Sequence, residues 1–233
     1  MNLFFTPDLT EGIYQLPETE SKHIIRVLRM EAGDKLFLTD GNGRMIEASI
    51  VDADPKKCIV KALQITREYN KRSFHLHIAI APTKNTDRFE WFLEKSTEIG
   101  IDEITPLVCS HSERTKINLD RSKKVLVAAM KQSLKAYLPV LDPPVTFGDF
   151  IRGPFHGEKF IAYCAESETV EFAKTYRKDA KTLILIGPEG DFTPEEIGSA
   201  KKEGFVPISL GKSRLRTETA GIVACHTINL LNG

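Results

Sequence analysis

The sequence predicts an α/β protein in two parts: a small β-barrel with one inserted helix over residues 1–70, and an α/β domain with a mostly parallel sheet over residues 71–233. Three observations predict it. Short β runs separated by turn signals fill the first part. Strand and helix patterns alternate after the polar linker 67–73. The continuous apolar run Leu183-Ile184-Leu185-Ile186 has the character of a central parallel strand.

In the first part, Asp40-Gly41-Asn42-Gly43 lies between Leu36-Phe37-Leu38 and 45–51. The glycines and Asn42 tolerate positive φ, so this is a hairpin signal. Asp54-Pro55-Lys56-Lys57 makes a second turn before the run 58–63, and a helical stretch covers Thr19 to Leu28.

In the second part, Phe74, Leu76, Ile78 and Ile80 alternate with His75, His77 and Ala79, as a strand requires. Asp87 can cap a helix that carries Phe89, Phe92, Leu93, Ser96 and Ile99 on one face and stops at Gly100. Residues 104–108 form the next strand, and a long helix runs from Asn118 to Leu138 before Pro139. A strand over 160–164 and a helix from Glu168 to Tyr176 follow. Thr193-Pro194-Glu195-Glu196 reads as a capping box with proline at the first helical position, and Gly204 ends that helix. Pro207 pushes the last strand, 206–210, towards an edge or an irregular start. A helix from Glu218 to Leu231 closes the chain.

Composition bounds the function. Hydrophobic residues make up 41% and charged residues 27%, an ordinary globular balance. The chain carries 32 basic and 32 acidic residues, which argues against a uniformly basic nucleic-acid binder but leaves room for local patches. No apolar run reaches the roughly 18 residues of a membrane span. The start, Met1 to Asp8, has no basic n-region, so a cytoplasmic location is expected. Cys58, Cys109, Cys164 and Cys225 stand apart, with no histidine at metal-ligand spacing, so buried free thiols and no metal are expected.

In open α/β sheets, ligands bind beyond the carboxyl ends of the strands. Two glycine loops lie there: Ile186-Gly187-Pro188-Glu189-Gly190-Asp191, and the stretch from Leu210-Gly211 through Lys212, Ser213 and Arg214 to Ala220. Neither matches a dinucleotide or P-loop fingerprint. Their backbone groups suit the edge of an adenine or a ribose better than a triphosphate. Two ordinary β–α turns would look the same.

The run Ile186-Gly187-Pro188-Glu189-Gly190, then Leu210-Gly211, then Leu215-Arg216-Thr217-Glu218-Thr219-Ala220 resembles the RsmE family of 16S ribosomal RNA uracil-N3 methyltransferases, in the SPOUT class. Further similar stretches occur in family order: 23–29, Lys84 with Asp87-Arg88, 95–100, Pro106, and Gln132-Ser133 with Pro139. Two positions depart. Asp191 stands where a second glycine is usual and is expected to point its side chain outward, and Leu134-Lys135 replaces a pattern that carries arginine.

The resemblance implies a PUA-like barrel followed by a SPOUT domain with a deep trefoil knot, a homodimer, and S-adenosylmethionine as cofactor. It implies that Leu185, Ile186, Gly187, Pro188, Glu189 and Gly190 bind the cofactor, with Leu210, Gly211, Leu215, Thr217, Glu218, Thr219 and Ala220. The implied partner is 16S rRNA of the small ribosomal subunit, and the reaction is methylation of N3 of a specific uridine.

The chemistry sets its own demands. The N3 proton lies on the Watson–Crick edge, so the base must be unpaired or flipped out. Charge developing on O2 and O4 calls for donors or a cation. Arg216 is the candidate, as catalytic cation or as a clamp on Glu218 or Glu189. Glu189 is a base or holds its loop by accepting N–H bonds; the second is preferred. His226 is expected to be packed inside the last helix, and His111 stands before Ser112-Glu113-Arg114.

For RNA, Lys22, Arg26 and Arg29 are spaced by four and three on one helical face, with His23 beside them. Lys71, Arg72, Lys84 and Arg88 could extend the patch. A solvated charged face gives the same spacing; the resemblance favours phosphate contact. The closing helix is apolar nearly all round, which calls for a second burying surface: a two-fold partner, or the sheet and the Asn118 helix. A non-catalytic RNA-binding or assembly module, and a small-molecule methyltransferase, are the other readings.

Overall fold

The structure, a computed structural model, describes residues 2–164 and 169–233. The chain divides into two compact units, Met1–Lys71 with Met130–Leu138, and Arg72–Ala129 with Pro139–Gly233.

The first unit is a five-stranded sheet in the order β1-β3-β4-β5-β2. Its strands are β1 (Leu3–Phe5), β2 (Ile13–Gln15), β3 (Lys35–Thr39), β4 (Met45–Asp52) and β5 (Ile59–Thr66). β1 runs parallel to β3 and the other pairs are antiparallel. Register shifts in the β4–β5 ladder, between Glu47 and Ala48 and between Ile50 and Asp52, bend the sheet. Phe4, Leu36, Leu38, Ile46, Ile50 and Val60 form its core.

The inserted helix differs from expectation. It is α-helical only over α1 (Glu18–Lys22) and continues as a π-turn over His23–Val27. The Leu28 amide donates to the His23 carbonyl at 3.0 Å, and Arg29 turns left-handed at φ 56°. Ile24 is thereby seated wholly in the core.

The second unit contains an all-parallel sheet in the order β11-β13-β10-β12-β6-β7-β8, with β9 on β7. The strands are β6 (His75–Ile80), β7 (Glu103–Val108), β8 (Val140–Leu141), β9 (Val145–Thr146), β10 (Glu158–Ala162), β11 (Val170–Glu171), β12 (Lys181–Ile186) and β13 (Val206–Ser209). β12 lies between β10 and β6 with Leu183 to Ile186 buried, as its unbroken apolar run requires. β13 is second from the edge: Pro207 pairs in register with Ile161, and the short β11 covers the other side.

The helices are α2 (Thr86–Ile99), α3 (Leu119–Gln132), α4 (Phe147–Ile151), α5 (Phe172–Thr175), α6 (Pro194–Lys202) and α7 (Thr217–Asn232). Asn85, not Asp87, caps α2, its side chain accepting from the Asp87 amide at 2.9 Å. The capping box at Thr193 and Glu196 is present. α3 stops at Gln132 rather than Leu138, because Leu134 takes a left-handed conformation and the Lys135 amide donates back to Met130. The segment 134–138 released by that stop belongs to the first unit, where the Gly43 amide donates to the Ala136 carbonyl at 2.8 Å. The helix expected from Glu168 is reduced to α5; Glu168 itself lies outside the described residues. Among the described residues, no helix is long and apolar enough to cross a membrane.

Candidate functional site

Beyond the carboxyl ends of β10, β12 and β13 lies a cavity of about 530 Å³. Ile186, Gly187, Pro188 and Glu189 line it from the β12 loop, and Leu210, Gly211 and Leu215 from the β13 loop. Thr217 and Ala220 add the first turn of α7. Backbone explains the glycines. A Cβ on Gly187 would stand 3.1 Å from the Phe192 ring, and Gly211 has φ +128°, which side chains resist. The Thr217 hydroxyl donates to the Gly187 carbonyl at 3.0 Å and so ties one loop to the other.

Four of the residues expected at the cofactor stand off the cavity wall. Leu185 is fully buried in the sheet beneath it. Gly190 is turned onto His111, whose Cβ is 3.1 Å from the position of an added Cβ. Glu218 and Thr219 face away from the lining, although Thr217 and Ala220 belong to it. Glu218 is buried beside Arg88, with Oε1 3.8 Å from Nε, and its Oε2 has no hydrogen-bond partner among the described residues.

Arg216 lines the cavity as the N-cap residue of α7 and is exposed. Among the described residues it has no carboxylate within ion-pair reach, so the clamp onto Glu218 or Glu189 is not made. Glu189 accepts the Lys84 amide at 3.1 Å, which fits the loop-holding role.

The lining also includes Asp191, Lys212 and Arg214 from the two glycine loops, and Tyr163 and Cys164, which sequence reasoning did not place at the site. The strand expected over 160–164 ends at Ala162, so Tyr163 and Cys164 fall beyond its carboxyl end, where ligands sit, rather than within it. Cys164 is exposed, contrary to the expectation that all four thiols are buried. Partial desolvation of its sulfur and the charge of Asp191 hold the thiol above its ordinary range, so it is no ready nucleophile. Asp191 adopts φ 62°, the left-handed conformation that glycine favours, and its Oδ1 accepts the Phe192 amide at 2.8 Å.

A brace supports the β12 loop. His111 Nδ1 lies 3.1 Å and 3.0 Å from the carbonyl oxygens of Gly190 and Asp191. Ser110 donates twice to Glu196 Oε1, while Oε2 accepts the Thr193 amide. Arg114 donates to the carbonyls of Thr83 and Lys84. His226 is exposed on α7, not packed, because its side chain falls opposite the buried Ala224, Cys225 and Ile228.

Of the expected RNA residues, Lys22, His23, Arg26, Arg29, Lys71 and Lys84 are exposed and Arg72 and Arg88 half-buried. Lys22 pairs with Glu18 at 2.6 Å, and His23 sets its ring edge-on to Phe4. Arg26 lies in the π-turn and Arg29 beyond it in a left-handed conformation, so the single α-helical face is not formed. Lys71, at the end of the first unit, pairs with Glu68. In the second unit, Lys84 pairs with Glu113 at 2.8 Å, and that bond holds its ammonium above its ordinary range. Arg72 is committed to Asp102 and lies over the Phe74 ring.

The loop glycines and the apolar walls fit an adenosyl group. Comparisons with known proteins agree. Residues 70–229 match the family described as an RNA methyltransferase domain, and residues 16–63 match an RNA methyltransferase PUA domain. A ribosomal RNA small subunit methyltransferase E of Synechocystis is 31% identical, over 96% of this chain and 75% of that protein. A probable rRNA-methyltransferase from Porphyromonas gingivalis superposes with a TM-score of 0.93 at 45% identity, covering 100% of this chain and 98% of that one. A ribosomal RNA small subunit methyltransferase E from Neisseria gonorrhoeae, bound to S-adenosyl methionine, gives 0.90 at 25% identity over 100% and 98%. The chain therefore belongs to the RNA methyltransferase family whose members include ribosomal RNA small subunit methyltransferase E.

Proposed function

We propose that the protein methylates N3 of a uridine in the 16S rRNA of the small ribosomal subunit, with S-adenosylmethionine as methyl donor. The observation that carries this reading is the cavity: it is built from the two glycine loops, joined by the Thr217–Gly187 hydrogen bond, and lined by Arg216, which has no carboxylate in ion-pair reach among the described residues. Bound there, the cofactor supplies an electrophilic sulfonium methyl group. Gly187 and Gly211 let the backbone approach the adenosyl group, and Ile186, Leu210 and Leu215 exclude water from it. Arg216 donates to O2 or O4 of the uracil as N3 gives its proton to solvent water and takes the methyl group, stabilising charge that exists only at that moment. Glu189 and Asp191 are held as acceptors by the Lys84 and Phe192 amides and shape the loop.

Lys22, His23, Arg26 and Arg29 in the first unit, and Lys84 and Arg88 in the second, serve as RNA contacts in this account. The division at residue 70 separates RNA positioning by a PUA-like barrel from chemistry in a SPOUT domain. Two features support a homodimer: Leu230 is 68% exposed on α7, and Trp91 is 42% exposed on α2. β13 lies beyond β10 whereas α7 packs on α2 and β6, so the chain crosses the strand ends between them, which supports a trefoil knot. Ribosomal subunits as substrate fit work in the cytoplasm.

Calorimetric titration with S-adenosylmethionine tests the cofactor site. One cofactor per chain is expected, and Gly187→Val should abolish binding by forcing the β12 loop off the buried Phe192 ring, which displaces the cavity wall. Full affinity in the variant removes the loop from the site.

A further inference from the structure

His77 is a buried imidazole that the cofactor site does not use. It lies on β6 in register with Glu103 on β7. Thr105 follows two residues later on the same face of β7, and Asp142 follows Leu141 of β8, which pairs with Ile104. Three adjacent strands therefore bring one imidazole, two carboxylates and one hydroxyl together. The cluster sits at the amino-terminal half of the sheet, whereas the cofactor cavity lies beyond the carboxyl ends of β10, β12 and β13.

The hydrogen bonds place the imidazole proton. The Thr105 hydroxyl donates to Asp142 Oδ2 at 2.5 Å, so its oxygen accepts from His77 Nε2 at 2.7 Å. Nε2 then carries the proton, and Nδ1 presents its lone pair. That lone pair faces Glu103 Oε1 at 3.6 Å and is open to a cation. Among the described residues, neither Glu103 nor Asp142 has a lysine or arginine within 4.0 Å. Nearby cations are engaged elsewhere: Arg72 with Asp102, and Lys181 over the Phe155 ring. The donor atoms of His77, Glu103 and Asp142 lie within 4.8 Å of one another. A tetrahedral zinc ion at its usual bond lengths sets its ligand atoms about 3.4 Å apart, so an inward swing of the carboxylates closes the shell. His77 is 7% exposed and braced by the edge of the Phe150 ring, while Glu103 and Asp142 are 31% and 32% exposed and leave a route in.

We propose that His77, Glu103 and Asp142 form a binding site for a divalent transition cation, zinc in particular, that fastens β6, β7 and the segment after β8 to one another. The Thr105 hydroxyl orients the imidazole as an outer partner, the arrangement that ligating histidines generally have. One nitrogen with two carboxylate oxygens favours zinc over magnesium or calcium.

The test titrates the full chain, freed of metal by chelator, with zinc sulfate, reading heat and melting temperature. Glu103→Gln and Asp142→Asn keep side-chain size at partly exposed positions. Zinc should bind one per chain and raise the melting temperature, and either variant should weaken binding at least tenfold. Magnesium at the same concentration should leave the melting temperature unchanged. Anomalous scattering at the zinc edge from soaked crystals should place the ion between the three side chains. Wild-type zinc affinity in both variants, no binding at millimolar zinc, or an ion placed on other histidines would overturn the proposal.

Discussion

Thr217 Oγ1 donates to the Gly187 carbonyl oxygen at 3.0 Å and so couples the start of α7 to the loop after β12. The two elements come from separate strand ends, and the proposed cofactor cavity lies between them. Its shape therefore depends on that bond. Thr217→Val removes the hydroxyl and leaves a carbonyl unpaired, at a cost of about 1–2 kcal/mol. Cofactor affinity should fall roughly tenfold by calorimetry, while Thr217→Ser should keep it.

Arg216 should act on rate rather than on cofactor binding. Arg216→Ala is expected to cut the methylation rate by about 10²-fold or more, with cofactor affinity little changed. Arg216→Lys should rescue poorly, because a point charge replaces a fork. Single-turnover kinetics separate the two effects. Loss of cofactor affinity in the alanine variant would return Arg216 to a structural part.

Reversing charge at Arg26 and Arg29 should weaken RNA binding and make its salt dependence shallower, by a slope of about one for each phosphate that is no longer neutralised. Lys22 should matter less than Arg26, since Glu18 already holds its ammonium. Filter binding over a range of salt checks both, and an unchanged slope makes these residues a solvated face.

Stability of the first unit should depend on acid through Asp40. Burial alone would raise its carboxyl, but bonds from the Arg44 guanidinium and the amides of Asn42 and Arg44 outweigh burial and hold it below the ordinary range. The contribution is complete above the unfolded value of about 3.9 and is lost as pH falls through the lower folded value. Asp40→Asn should cost about 1–3 kcal/mol at neutral pH and flatten the acid limb of a melting-temperature profile. An equal acid limb in both proteins would remove Asp40 from the account.

Local rules read some of this molecule directly. The apolar run of β12, the Thr193 capping box and the Asp40–Gly43 turn are written in neighbouring residues. Elsewhere tertiary partners decide. Leu134 ends α3 where glycine would be usual, because the segment after it pairs with the turn between β3 and β4. The π-turn at His23 seats Ile24 in the core, a gain that helical spacing does not register. The loops at Gly187 and Gly211 were legible by motif and strand-end position. Tyr163 and Cys164 were not, since β10 ends in no motif. The His77 cluster was invisible because its side chains come from two strands and the segment after a third.

The central claim is methyl transfer to uridine N3, and the most direct measurement is the product. Small ribosomal subunits lacking the modification are incubated with the protein and S-adenosylmethionine, and the 16S rRNA is digested to nucleosides and separated by mass spectrometry. The account predicts N3-methyluridine at one site, abolished by Gly187→Val and strongly slowed by Arg216→Ala. No transfer, or a methyl group on another base or on ribose, would contradict it.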